Sequence, residues 1–315
     1  MQSGWRLSVA LIAASACMLT LPILAPGSSD DETKPNGKGT GTILNPGNGN
    51  RDAGQAKGKP GGGGGGTTSN GINYHGGPVL LGTVNMYYIW YGNWSGNSAK
   101  TILTEFARAI GGSAYFNINT TYYNGSSAHV SNSVNYAGSV DDSYSLGTTL
   151  SDANIQTIVT NAINNNALLK DPNGVYFVLT SDDVAESSGF CTTYCGWHTY
   201  GTIANTNIKY AFVGNAARCP SACEAQSTSP NGNAGADAMA SVIAHELEEA
   251  VTDPNLNAWY DTRGYENADK CAWKFGTTST ATNGSKYNIT LNNTLQYLIQ
   301  QNWVNASGGY CALSY

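Results

Sequence analysis

The chain has 315 residues, only 11% of them charged, with 15 Lys and Arg against 21 Asp and Glu. Average domains carry about 25% charge, so Asn, Ser, Thr, Tyr and Gly must build this surface, a composition that suits a secreted protein. Residues 72–315 hold nine basic and seventeen acidic residues, a net of −8. That excludes the basic footprint of a nucleic-acid binder and disfavours an anionic membrane surface.

In chain order, Met1–Arg6 and the apolar run Leu7–Ala25 read as a secretory signal peptide covering residues 1–27. Cleavage is expected after Gly27, at the small-residue site Ala25-Pro26-Gly27, and no later run could cross a membrane. Residues 28–73 mix Gly, Pro, Asn, Lys and Asp around the run Gly61–Gly66. With almost nothing apolar to bury, this stretch is expected to be a disordered linker. One body follows, over residues 74–315.

Within the body, the β-formers of Val79–Trp90 predict a buried strand or strand pair. Ile102, Leu103, Phe106, Ala107 and Ile110 predict a helix over 99–110, ended by Gly111-Gly112. Ile155, Ile158, Val159 and Ile163 mark a second helix with Ser151 as its N-cap. Val175–Thr180 and Lys209–Val213 read as short core strands. Met239, Val242, Ile243, Leu247, Ala250 and Val251 give a third helix, stopped by Asp253-Pro254. The fold class is therefore α/β of the α+β type: a mixed β-sheet with helices packed on it.

Cys17 leaves with the signal, and six cysteines remain: Cys191, Cys195, Cys219, Cys223, Cys271 and Cys311. An even count in an exported chain is read as a disulfide framework. Cys271 is expected to join Cys311, with the other four kept together around the 191–223 loop. A structural zinc site using the two C-x3-C pairs and His198 is the alternative. Seven N-x-S/T sequons, at Asn93, Asn119, Asn124, Asn283, Asn288, Asn292 and Asn305, are glycosylation acceptors in a eukaryotic host.

The chemistry concentrates on the third helix, in Ala-His-Glu-Leu-Glu-Glu-Ala at 244–250. His245 and Glu249 stand at i and i+4 and share a helix face. Glu246 follows the His as the general base does in H-E-x-x-H zinc peptidases, with Glu in place of the second His. Seven acids lie within 245–269 against one basic residue, Arg263. Such a density repels itself unless it is solvated or neutralised by a cation. The expected ligands of one zinc ion are His245, Glu249 and the distant Glu266. Asp261 and Asp269 are candidates to replace Glu266, or Asp269 could orient His245. The catalytic candidates are Glu246 as base and His198 as oxyanion donor or fourth ligand, the latter read as lying in an exposed loop. His75 and His129 are read as surface residues.

The segments GPVLLGTVNMYYIWYGNW (77–94), CGWHTYG (195–201), YAFVGN (210–215), VIAHELEEAVTDP (242–254), ENADKC (266–271) and QQNWVNASGGYC (300–311) resemble, in order, the EXORDIUM or phosphate-induced protein family. The resemblance implies a secreted protein of the cell wall or extracellular space, associated in plants with growth and nutrient responses. The family's H-E-L-x-E segment falls on His245, Glu246 and Glu249. Its E-x-A-D-x-C segment falls on Glu266, Asp269 and Cys271.

Three functions are compatible with these residues. One is a secreted, zinc-dependent hydrolase of metallopeptidase type. Another is a non-catalytic extracellular signalling or wall protein whose acidic cluster is structural or binds calcium. A third is a carbohydrate-associated module using exposed aromatics. Calcium prefers an all-oxygen shell, so His245 argues for zinc. Extracellular matrix or cell-wall components are the expected partners, with no nucleic acid, no membrane after signal cleavage, and a monomeric state.

Overall fold

The computed structural model describes residues 71–315, together with 1–2, 34–36 and 38. The expected signal peptide and nearly all of the expected linker lie outside the described residues. Two observations bear on the linker's edges. Asn73 already belongs to a strand, β1 (Asn73–Tyr74), so the body begins before residue 74. Lys38 forms an ion pair with Asp152 at 2.6 Å and donates to Ser188 Oγ at 2.8 Å.

The centre of the body is a five-stranded sheet. Its members are β2 (Val84–Tyr91), β3 (Val134–Asp142), β5 (Gly174–Thr180), β7 (Gly196–Ile203) and β8 (Thr206–Gly214). The short strands β4 (Thr149–Leu150) and β6 (Ala185–Glu186) pair with each other beside it. The sheet order is β3-β2-β5-β8-β7, parallel except for β7, which runs antiparallel to β8 at one edge. β5 is buried along its whole length and β2 and β8 nearly so, as expected for parallel strands covered on both faces. β7 is paired so that His198 stands opposite Ala211.

Among the described residues, four α-helices accompany the sheet: α1 (Ala99–Ala109), α2 (Asp152–Asn164), the short α3 (Pro220–Cys223) and α4 (Ala234–Thr252). Ser151 caps α2 in a reciprocal box. Its backbone N–H donates to Asn154 Oδ1 at 2.9 Å, and its hydroxyl accepts from the Asn154 N–H at 3.3 Å. Asn233 caps α4 through the Ala236 N–H, and Asp253-Pro254 ends it. α4 packs on α1, β7 and β8, and is buried on nearly every side. After β9 (Trp259–Tyr260), which pairs with β1, the chain finishes in three small hairpins between 279 and 312. No helix among the described residues is long and apolar enough to cross a membrane.

The mixed α+β architecture is the one the patterning implies. The disulfides are Cys191–Cys219, Cys195–Cys223 and Cys271–Cys311. The first two clamp the 191–195 loop onto the start of the segment leading to α4, and exclude a zinc site on those thiols. One sequon is ruled out by burial. Asn119 has 0% exposure, and its side chain bonds Phe116, Asn267 and Asn302.

Candidate metal centre

The site grows from α4. His245 and Glu249 stand one helical turn apart, with His245 Nε2 at 3.1 Å from Glu249 Oε1. The other oxygen, Glu249 Oε2, lies 3.5 Å from His198 Nε2. His198 is thus no exposed loop residue. It sits on β7, is 1% exposed, and meets α4 across the helix–sheet interface.

Gly196 makes that approach possible. A Cβ there would stand 2.5 Å from Val242 Cγ1 and 2.8 Å from the Phe212 carbonyl oxygen. Residues 196 and 198 point to the same side of a strand, so the glycine lets α4 come down onto the face that carries His198.

The loop after β9 supplies the remaining carboxylates. Glu266 Oε2 lies 3.2 Å from His198 Nε2, and Asp269 Oδ1 lies 3.6 Å from His245 Nε2. The loop is held in shape by its own acids. Asp261 Oδ1 accepts from the N–H groups of Arg263 and Tyr265, and its Oδ2 pairs with Lys270 at 3.0 Å. Asp261 is therefore a loop organiser, outside the ligand set. Asp269 Oδ2 accepts from the Glu266 N–H, and the Asp269 N–H donates to Glu249 Oε1 at 3.1 Å. The Cys271–Cys311 disulfide anchors the return two residues further on.

Ligand-capable atoms within 4.8 Å of one another form two buried triads, His198/Glu249/Glu266 and His245/Glu249/Asp269. The expected trio of His245, Glu249 and Glu266 is divided between them. Glu249 is shared, one oxygen to each triad, and Glu266 pairs with His198 while Asp269 stands beside His245. Sequence spacing alone could not separate these, because the pairing depends on which side of the Glu249 carboxylate the 261–271 loop returns. Glu246 is 2% exposed and borders a small cleft with His245, Gly196, Val242, Trp273 and Gln300. His75 stacks on Tyr260, and His129 bonds the Thr120 carbonyl, both away from the centre.

The electrostatics are unbalanced. Burial is the largest influence on the carboxyls of Glu246, Glu248 and Glu266 and pushes each well above the usual carboxylate range, with repulsion from Glu249 adding to it. Asp253 is pushed up to about 7, chiefly by burial, although backbone N–H groups of Ala258 and Asn257 favour its charged form. Burial drives His198 down to about 4, against the pull of Glu249. His245 moves the other way: burial opposes its charge, but Glu249, Asp269 and Glu246 outweigh it and hold it well above its ordinary value. Several polar atoms have no hydrogen-bond partner among the described residues, namely Glu246 Oε2, Glu266 Oε1, Asp269 Oδ1 and His198 Nδ1. Buried carboxylates left in that state are costly unless a proton or a cation neutralises them.

Glu248 is the third acid of the helix turn and belongs to a different network. It accepts from Tyr115 Oη at 3.0 Å and lies beneath Asn267 and Asn302. Sequence reading counted it in the acidic run without separating its role.

The family model described as "Phosphate-induced protein 1 conserved region" matches residues 72–313, which takes in every element of the site. The chain belongs to the phosphate-induced protein 1, or EXORDIUM, family. Among its relatives, Protein EXORDIUM-like 3 of Arabidopsis thaliana is 31% identical over 280 residues, covering 76% of this chain and 82% of its own. Protein EXORDIUM-like 5 of the same plant is 34% identical over 237 residues, 65% of each chain. Protein PHOSPHATE-INDUCED 1 of Nicotiana tabacum is 26% identical over 219 residues, 60% of this chain and 67% of its own. No solved structure matches. The matched range includes His198, the 245–249 helix turn and the 266–271 loop, which the fold brings together around Glu249.

Proposed function

We propose that this EXORDIUM-family protein works outside the cell, among matrix or cell-wall components, and holds a divalent metal ion, zinc by its donor chemistry, at the Glu249-centred cluster. The extracellular reading is supported by three disulfides and by the apolar N-terminal run. The metal reading rests on one observation above the others. The carboxylate of Glu249 stands between two buried imidazoles, with Glu266 and Asp269 at its flanks and polar atoms left unpaired.

The spacing supports it. Nitrogen and oxygen donors bound at about 2.1 Å in a tetrahedron stand roughly 3.4 Å apart. The contacts of His198 to Glu249 and Glu266 are 3.5 and 3.2 Å in one triad, and those of His245 to Glu249 and Asp269 are 3.1 and 3.6 Å in the other. Mixed imidazole and carboxylate donors suit zinc better than calcium. A bound zinc ion would supply positive charge and Lewis acidity. Glu246, unpartnered at Oε2 in the adjoining cleft, is the base this reading assigns for a metal-dependent hydrolysis. Several anionic ligands weaken that acidity, so a slow hydrolase is expected.

The test is a thermal melt of chelator-treated protein with zinc added back. Wild type should melt several degrees higher with zinc, by linkage, and His245→Ala should show little shift. An equal shift in His245→Ala, or none in wild type, would contradict the proposal.

A further inference from the structure

Within the stretch read as a linker, Pro35 is buried, and Asn36 Oδ1 accepts the Lys38 N–H at 2.8 Å in a local turn. That turn delivers the Lys38 side chain to a cluster outside the metal centre. Its ammonium donates to Asp152 Oδ2 at 2.6 Å and to Ser188 Oγ at 2.8 Å. It also lies 5.3 Å from the centre of the Tyr194 ring and 5.4 Å from that of Trp197. Both rings are within reach of cation–π attraction.

The cluster is assembled by the body's own residues. Asp152 opens α2, Ser188 follows β6, and Trp197 lies on β7. Tyr194 sits in the loop clamped by Cys191–Cys219 and Cys195–Cys223. Ser188 Oγ donates to Asp152 Oδ1 at 2.5 Å, and Tyr194 Oη donates to Glu186 Oε2 at 2.6 Å. Glu186 Oε1 in turn accepts the Ser188 N–H at 2.9 Å. Tyr194, Trp197 and Glu186 are at most 5% exposed, so packing fixes the two rings and the carboxylate. A site ordered before its ligand arrives loses little freedom on binding.

An exposed lysine–aspartate pair alone would add little. Here two hydrogen bonds, two aromatic rings and a buried proline act on one short segment. The same features define the ligand. Asp152 and Ser188 each accept a proton of the ammonium, which a quaternary ammonium does not have, so the site selects a primary amine. Trp197 and His198 are consecutive on β7 and face opposite sides of the sheet. On the Trp197 side, a Cβ at Gly201 would stand 2.8 Å from Gln156 Nε2 of α2. The cluster therefore lies away from α4 and is independent of the metal reading.

We propose that Asp152, Ser188, Tyr194 and Trp197 form a binding site for the primary ammonium of a lysine, and that Lys38 fills it in cis. The segment 34–38 is then a ligand carried by the chain itself, and the site accepts a free lysine-bearing peptide once Lys38 is removed. Held on the same chain, Lys38 outcompetes that peptide through its local concentration.

The test uses the full chain as secreted. Brief acetylation followed by peptide mass spectrometry should label Lys38 at least about fivefold more slowly than the exposed Lys34. Asp152→Asn should raise Lys38 labelling toward that of Lys34. Ser188→Ala, in an exposed loop, should do the same and serves should Asp152→Asn misfold. In calorimetry, acetyl-KPNGK-amide should bind Lys38→Ala with a Kd of about 1 mM or tighter, and wild type at least about tenfold more weakly. The same peptide with its last lysine trimethylated should bind Lys38→Ala at least about tenfold more weakly than the unmodified one. Equal labelling of the two lysines, equal affinity of wild type and Lys38→Ala, no binding to Lys38→Ala, or indifference to trimethylation would overturn the proposal. Protection of Lys38 that vanishes on dilution would place a second copy's lysine in the site and overturn docking in cis.

Discussion

Glu249 and His198 meet across the interface of α4 and β7, Oε2 to Nε2 at 3.5 Å, with both side chains almost wholly buried. That contact joins a helix to the antiparallel edge strand of the sheet. It gives the second imidazole of the centre an address that local spacing on α4 does not contain.

The metal-free protein should lose stability as pH rises from about 4 to about 7. Asp253 titrates near 3.8 when unfolded and at about 7 when folded, so across that window the folded chain keeps a proton the unfolded chain releases. His198, at 6.5 unfolded and about 4 folded, acts in the opposite sense over nearly the same range. The raised carboxyls of Glu246, Glu248 and Glu266 tip the balance toward Asp253. Zinc should reverse the slope, because protons compete with the ion for the same side chains. Melts of chelated and zinc-saturated protein at about pH 5 and about pH 7.5 should therefore diverge in opposite directions. Parallel curves would show that the acids are not neutralised as described.

Removing the Cys271–Cys311 bridge, by replacing both cysteines with Ser, should loosen the loop that carries Glu266 and Asp269. The bridge closes 40 residues, and chain-entropy arguments put its contribution at about 4 kcal/mol. Denaturant unfolding should report a loss of that order, and zinc affinity measured by chelator competition should fall with it. Unchanged zinc affinity in a folded variant would mean that the loop is held without the disulfide.

Glycopeptide mapping of protein secreted from a eukaryotic host should find no glycan on Asn119. Its side chain is enclosed and bonded to Phe116, Asn267 and Asn302. Occupancy there would mean that the 116–121 turn opens before the fold closes.

Much of this arrangement was legible in the chain. The N-cap at Ser151 and the end of α4 at Asp253-Pro254 follow from capping residues and apolar spacing, whereas an even cysteine count implies a disulfide framework and leaves Cys271–Cys311 one choice among several pairings. Strands β3 and β7 were not. β3 reads VNYAGSVDD, an edge strand whose side chains are largely half-exposed, so no apolar run marks it. β7 carries Gly196 and Gly201, poor strand formers by propensity. Yet Gly196 is where α4 approaches most closely, so the residue that hid the strand is the one that admits His198 to the site. The division of Glu266 and Asp269 between two histidines is a long-range matter of how the 261–271 loop folds back. Asp261 and Lys270 decide it, far from any pattern on α4.

The most direct test of the central claim is elemental analysis of wild-type and Glu249→Gln protein, purified without chelators. Glu249 is common to both triads, so its carboxamide should cost the centre more than the loss of any other single ligand. Wild type should carry about one divalent metal ion per chain, chiefly zinc, and Glu249→Gln less than about a tenth of that. Wild-type protein that arrives without metal and takes up none when zinc is supplied would contradict the account, as would full occupancy in Glu249→Gln.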